Sequence, residues 1–304
     1  MSFREESYYK YTGHSQINTV GIDLSTLSIE ELKRLWRQTL ENGFHGICFS
    51  MYEDGQSPGD EITFEQVDRR VGILKPFVEA IRSFSCIEGN EHVPVAAKKH
   101  GLKTLVGAWL GNDKDDNERE IEGLIRLAKA GHVDVAAVGN EVLYRNDLSL
   151  DELIHYMKRV REALSGLNIP IGYVDAYYEF SRHPELVENS DVILANLYPY
   201  WEGCPIEYAL GHMQAMYGQV VDAAQGKPII ITETGWPSEG GSLKGAVAGD
   251  QASMKYFIDA INWTKTNNIP IFYFSSFDES WKTGDEGDVG AFWGLWDKHE
   301  NLKY

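Results

Sequence analysis

The chain of 304 residues contains only three cysteines, Cys48, Cys86 and Cys204. An odd number, wide spacing and the lack of any CxxC pair argue against a disulfide framework or a cysteine-based metal site. Cys48 and Cys86 fall in apolar, strand-like runs, where a free cysteine acts as a small hydrophobe. No stretch of 18 or more apolar residues occurs, so no transmembrane helix is expected. Basic residues are scarce: 28 Lys and Arg stand against 46 Asp and Glu, for a net charge of −18. That sign repels phosphate backbones and anionic lipid, so neither nucleic acid nor membrane is expected as a partner, whereas a neutral polymer is compatible with it. The 9 histidines form no HxH or HxxxH pair, which argues against a catalytic zinc. GxGxxG, P-loop and GxSxG strings are absent, removing support for nucleotide cofactors and for a serine-hydrolase mechanism. No cofactor and no metal are expected. The N-terminus lacks the basic and apolar regions of a signal peptide. The expected location is therefore cytoplasmic, or secreted or periplasmic where a signal has been removed.

What is present is a regular alternation. Short apolar runs occur at residues 46–50, 80–84, 103–108, 133–138, 170–174, 191–195, 227–232 and 269–274. Runs of this length suit strands buried on both faces. Amphipathic segments separate them: residues 65–78, 118–130 with Ile121, Leu124, Ile125 and Ala128 on one face, 149–164 opening on a Ser149/Glu152 capping box, and 251–266 with Met254, Phe257, Ile258 and Ile261. Eight strands alternating with helices predict an α/β fold of the (β/α)8 TIM-barrel type. No eighth helix follows the last run. A helix does precede the first, over residues 28–41, with Leu32, Leu35, Trp36 and Leu40 as its apolar stripe; it is expected to take the place of the missing C-terminal outer helix. The whole chain, 1–304, reads as one domain, with residues 1–27 an N-terminal extension packing on the barrel, and as a monomer.

Active residues of such barrels sit at the C-terminal ends of the strands. Run four ends in Gly139-Asn140-Glu141, and run seven in Thr232-Glu233-Thr234-Gly235-Trp236-Pro237. Two carboxylates facing one another across a barrel mouth are the arrangement glycoside hydrolysis needs, one protonating the leaving oxygen and the other staying ionised. At these residues the chain resembles family 17 of the glycoside hydrolases, within the clan of (β/α)8 retaining enzymes. The resemblance is carried by Val138-Gly139-Asn140-Glu141 and by Ile231-Thr232-Glu233-Thr234-Gly235-Trp236-Pro237-Ser238, with support from residues 46–50, 195–201 and 276–282. It runs from about Gly46 to the C-terminus.

The resemblance implies hydrolysis of β-1,3-linked glucan of the laminarin kind, endo-acting and with retention, or glucanosyl transfer by the same residues. A non-catalytic glucan-binding barrel is a remote alternative. Glu233 matches the nucleophile and Glu141 the acid/base. Asn140 matches the residue that binds the sugar 2-hydroxyl, and Tyr198 the tyrosine that orients the nucleophile. Glu279, Trp281 and Lys282 fall where the family binds sugar hydroxyls, although Ser280 stands where the family has proline. The residues add 8 Trp and 16 Tyr to the reading, many just after strand ends. Tyr52, Trp109, Tyr200, Trp201, Trp236 and Trp281 are expected to stack on or bind sugar rings. Trp296 is expected to pack. The loops after strands four, six and seven read as short. Three lesser signals point elsewhere: Asp113 opens a failed calcium-loop pattern, Asp285 to Asp288 is an acidic turn, and Asn262 heads a glycosylation triplet inside a helical segment.

Overall fold

The computed structural model describes residues 19–284 and 286–304. Of the expected N-terminal extension, residues 1–18 lie outside the described residues, as does Asp285 of the acidic turn. Eight parallel strands close into a barrel: β1 Phe44–Cys48, β2 Val78–Ser83, β3 Lys103–Ala108, β4 Val135–Asn140, β5 Ile171–Ala176, β6 Ile193–Asn196, β7 Ile229–Thr234 and β8 Ile271–Tyr273. The ring closes where β1 pairs with β8, Gly46 opposite Phe272 and Ile47 opposite Tyr273.

The outer layer is α1 Ile29–Glu41, α2 Phe64–Leu74, α3 His92–Lys99, α4 Lys114–Lys129, α5 Leu150–Ala163, α6 Pro184–Asn189, α7 Ala209–Ala223 and α8 Asp250–Thr266. Capping boxes open α1 and α5, where Ser28 pairs with Glu31 and Ser149 with Glu152. Two orphan N–H groups are satisfied at each start. Asp113, the residue that mimics a calcium loop, caps α4 instead: its carboxylate accepts the Asp115 and Asp116 N–H groups. Asn262 lies inside α8. The reading of 65–78 as one helix is corrected: α2 stops at Leu74, ahead of Pro76, and Val78 already belongs to β2.

Among the described residues no α-helix follows β8, only the short 3-10 turn Gly287–Ala291. α1 fills that side. It buries Leu32, Trp36 and Leu40, and Trp36 meets Phe257 of α8 at 5.6 Å and the Tyr304 ring edge-on at 5.2 Å. The segment before α1 is tied to the same helix, since Ile22 N–H donates to Asp259 Oδ1 at 2.9 Å. Flanked by α1 and the barrel wall, α8 buries even its ion pair, Lys255 to Asp259 at 2.5 Å. Among the described residues no helix is long and apolar enough to cross a membrane.

Candidate active site

The C-terminal ends of β4, β6, β7 and β2 bring the site together. At the end of β4 the backbone turns sharply. Gly139 has φ +87, and a Cβ there would come within 2.9 Å of Val142 Cγ2 and 3.3 Å of the Tyr173 ring. Only glycine fits, for both conformational and steric reasons. Glu141 itself is left-handed, φ 51. A non-glycine residue in that region costs about 1–2 kcal/mol. The cost is met by bonds on either side: Glu141 N–H donates to Val174 O at 2.8 Å, and Glu141 O accepts from Arg145 N–H at 2.9 Å. On β7, Gly235 follows Glu233 and Thr234, and a Cβ there would sit 2.1 Å from Phe274 O.

Glu233 is 6% exposed, and three donors converge on it. Arg82 Nη1 reaches Oε1 at 2.7 Å, Asn196 Nδ2 reaches the same oxygen at 3.1 Å, and the Tyr198 hydroxyl donates to Oε2 at 2.8 Å. Arg82 also uses Nη2 to bond Asn140 Oδ1 at 2.8 Å. That contact fixes the Asn140 amide with its carbonyl occupied and its NH2 as the group left to address a ligand. Asn196 Nδ2 bonds Glu141 Oε1 as well, at 2.9 Å, while Thr232 Oγ1 donates to Asn196 Oδ1 at 2.8 Å. One amide nitrogen therefore bridges the two carboxylates. Their nearest oxygens are no further apart than the sum of its two bonds, so the two carboxylates meet at one point of the barrel mouth. Burial, then the charge of Glu233, holds the Tyr198 phenol well above its usual range, so it stays a donor. Trp293 packs edge-on against Tyr198 at 5.6 Å and keeps the ring in place.

The remaining expected residues separate into two groups. Glu279 and Lys282 pair at 2.5 Å beyond β8, and Trp281 Nε1 donates to Glu279 Oε1 at 3.3 Å. Tyr52 meets Trp281 edge-on at 5.5 Å. Trp281 is 36% and Trp109 42% exposed, so each offers an open ring surface; the Arg145 guanidinium lies 4.5 Å from the Trp109 centroid. Ser280, in the place of the family's proline, donates to Asp54 Oδ1 at 2.8 Å and ties this loop to the one after β1.

Tyr200 and Trp236 are different. Trp236 is 0% exposed with its indole N–H on Val247 O, and the Tyr200 hydroxyl bonds Gly241 O. With Trp201 and Trp293 they form an aromatic cluster at 5.2–5.6 Å spacings. The expected sugar-stacking role of Trp236 and Tyr200 is corrected to packing, because no ring face is left open; Trp201, 8% exposed, sits at the edge of that cluster. Trp296 packs, as expected, on Phe77 and Phe277. The loop after β7 is also not short: it spans residues 235–249 and carries a hairpin, Ser242–Leu243 paired with Ala246–Val247.

Arg82 and Asn196 are site residues that the strings did not single out. Arg82 had a visible signal, a cation inside an apolar run, since buried charges occur paired. Burial pushes Glu286 up to about 7, against the pull of Lys282. The three cysteines are free and buried, and burial raises the Cys48 thiol to about 12. Among the described residues no three His, Cys, Asp or Glu side chains are placed to hold a metal ion.

The chain is similar to known proteins over most of its length. Residues 46–294 match the family model of the BtgE/BtgC glycoside hydrolase domain. A glucan 1,3-beta-glucosidase of Schizosaccharomyces pombe is 28% identical over 76% of this chain and 77% of that protein. A probable glucan endo-1,3-beta-glucosidase, btgC, of Aspergillus terreus is 32% identical over 66% of this chain, which spans 35% of that longer protein. The crystal structure of a glycoside hydrolase family 17 beta-1,3-glucanosyltransferase from Rhizomucor miehei superposes with a TM-score of 0.78 at 32% identity, covering 86% of this chain and 96% of that one. An active-site mutant of the same enzyme, in complex with laminaritriose, superposes with the same score at 31% identity.

Proposed function

This chain belongs to glycoside hydrolase family 17 and is a glycoside hydrolase of β-1,3-glucan, and we propose that it works by double displacement, endo-acting, with Glu233 as nucleophile and Glu141 as acid/base. The observation that carries the assignment is the Asn196 amide bonded to both carboxylates. It brings the two carboxylates together at one point of the barrel mouth, the arrangement that direct attack with retention requires, with carboxyls about 5–5.5 Å apart.

In the first step Glu233 attacks the anomeric carbon as Glu141 gives its proton to the departing glucan oxygen. The glycosidic bond breaks and a glycosyl-enzyme forms. In the second step Glu141, now a base, takes a proton from water, whose oxygen displaces Glu233. Arg82 and Tyr198 hold the Glu233 carboxylate on line, and Asn140 turns its amide NH2 toward the sugar 2-hydroxyl. Trp109 and Trp281 offer aromatic surface, Tyr52 supports the Trp281 ring, and Glu279 with Lys282 offers polar groups, for neighbouring rings. One chain carries every group named, which supports a monomer as the working unit.

A second reading is glucanosyl transfer by the same two glutamates, favoured by the 32% identity to the Rhizomucor miehei glucanosyltransferase. Product profiling on a linear laminari-oligosaccharide separates the two. A ladder of shorter oligosaccharides marks hydrolysis, and products longer than the substrate mark transfer. Glu233→Ala is expected to remove roughly 10³-fold or more of either activity. Retention of near-native turnover by that variant would end the nucleophile assignment.

A further inference from the structure

We propose that Tyr173 and Asp175, on β5 behind the catalytic turn, are positioning residues for Glu141. The proposal rests on Glu141 being the acid/base. Strand alternation puts Tyr173 and Asp175 on one face of β5, and both are 0% exposed. The Tyr173 ring lies against the backbone at Gly139. Its hydroxyl oxygen accepts the Leu143 N–H at 3.0 Å, two residues past Glu141, and its O–H is bonded to Asp175 Oδ2. Asp175 Oδ1 accepts the Ala176 N–H at 2.7 Å. The turn that carries Glu141 in a left-handed conformation is thus held from beneath by a hydroxyl that a buried carboxyl orients.

The surroundings of Asp175 are anionic or neutral. Glu141 faces it from the end of β4 and Tyr144 from the turn that follows, with Glu179 and Tyr178 beyond β5. Arg182, the nearby cation, is committed to Glu179 at 2.9 Å. Across β6 the register partner is Ala195. Among the described residues no Lys, Arg or His is bonded to Asp175. Burial first, and then the charge of Glu141, push its carboxyl up to about 8. A carboxyl so placed keeps its proton through the neutral range, so it adds no charge beside Glu141 and acts as a hydrogen-bonding support for the Tyr173 hydroxyl.

Two variants test this, with melting curves to confirm folding. For Asp175→Ala, which leaves the Tyr173 hydroxyl without its carboxyl partner, kcat/KM on a laminari-oligosaccharide should fall roughly tenfold. For Tyr173→Phe, which frees the Leu143 N–H and stands in should the first variant not fold, kcat/KM on the oligosaccharide should fall roughly tenfold. On a 2,4-dinitrophenyl β-laminarioside, whose leaving group needs no proton, the loss in kcat/KM, which reports only the first step, should be slight. A loss in kcat/KM that is equal on both substrates for either variant overturns the proposal. Glu141→Gln serves as control: if it too fails to distinguish the substrates, the acid/base reading falls, and this one with it.

Discussion

The Arg82 guanidinium commits one terminal nitrogen to Glu233 and the other to Asn140, so a single planar fork sets the angle between the proposed nucleophile and the amide beside it. A lysine delivers the same charge as a point and cannot make both bonds. Arg82→Lys is therefore expected to lower kcat roughly 10²-fold with little change in KM, the size of effect a small misplacement of a reacting group produces. Steady-state kinetics on laminarin decides it, and an unchanged kcat would show that the fork is dispensable. That Glu141 and Glu233 meet at the barrel mouth, with Asn140 and Tyr198 beside them, was legible in the sequence because each lies at or just past the end of an apolar run, and run ends become the mouth. Arg82 and Asn196 were not legible as partners. Arg82 and Glu233 lie 151 residues apart, and nothing local says which strand faces which. Trp236 and Tyr200 misled for the same reason: composition counts aromatic rings but does not say whether a face is open or enclosed by three others.

At the scale of elements, α1 does the work of an outer helix that has no counterpart after β8. Its apolar stripe gave it away, since the 3–4 spacing of Leu32, Trp36 and Leu40 demands a partner surface. Trp36 is fully buried between Phe257 and Tyr304. Trp36→Ala should cost about 3–5 kcal/mol, read as a lower denaturant midpoint, with the specific activity of the folded fraction kept. A loss under about 1 kcal/mol would mean that α1 merely covers the seam. Other helices were harder to read. α3 carries Pro94 in its first turn, and α7 contains Gly211 and Gly218, residues that argue against a helix when taken one by one. Packing on the barrel overrides them. The loop after β7 looked short because the residues of its hairpin, Ser242–Leu243 and Ala246–Val247, lack the length of a strand signal.

For the whole molecule, the net charge of −18 has a consequence for binding. A neutral glucan neither gains nor loses from that field, and counterion release plays no part in its capture. KM for laminarin should change less than about twofold between 50 and 500 mM NaCl, since screening acts only between charges. A steep salt dependence would point to an anionic ligand instead. The closed ring also has a history written into its seam. α1 leaves the ribosome early, yet Phe257 and Tyr304 are made more than two hundred residues later. The same delay separates β1 from β8, whose pairing joins Gly46 to Phe272. Until then the growing chain carries an uncovered tryptophan and a sheet with two free edges, and such edges recruit neighbours. Nascent-chain protection is thus a requirement this barrel inherits from placing its last outer helix first.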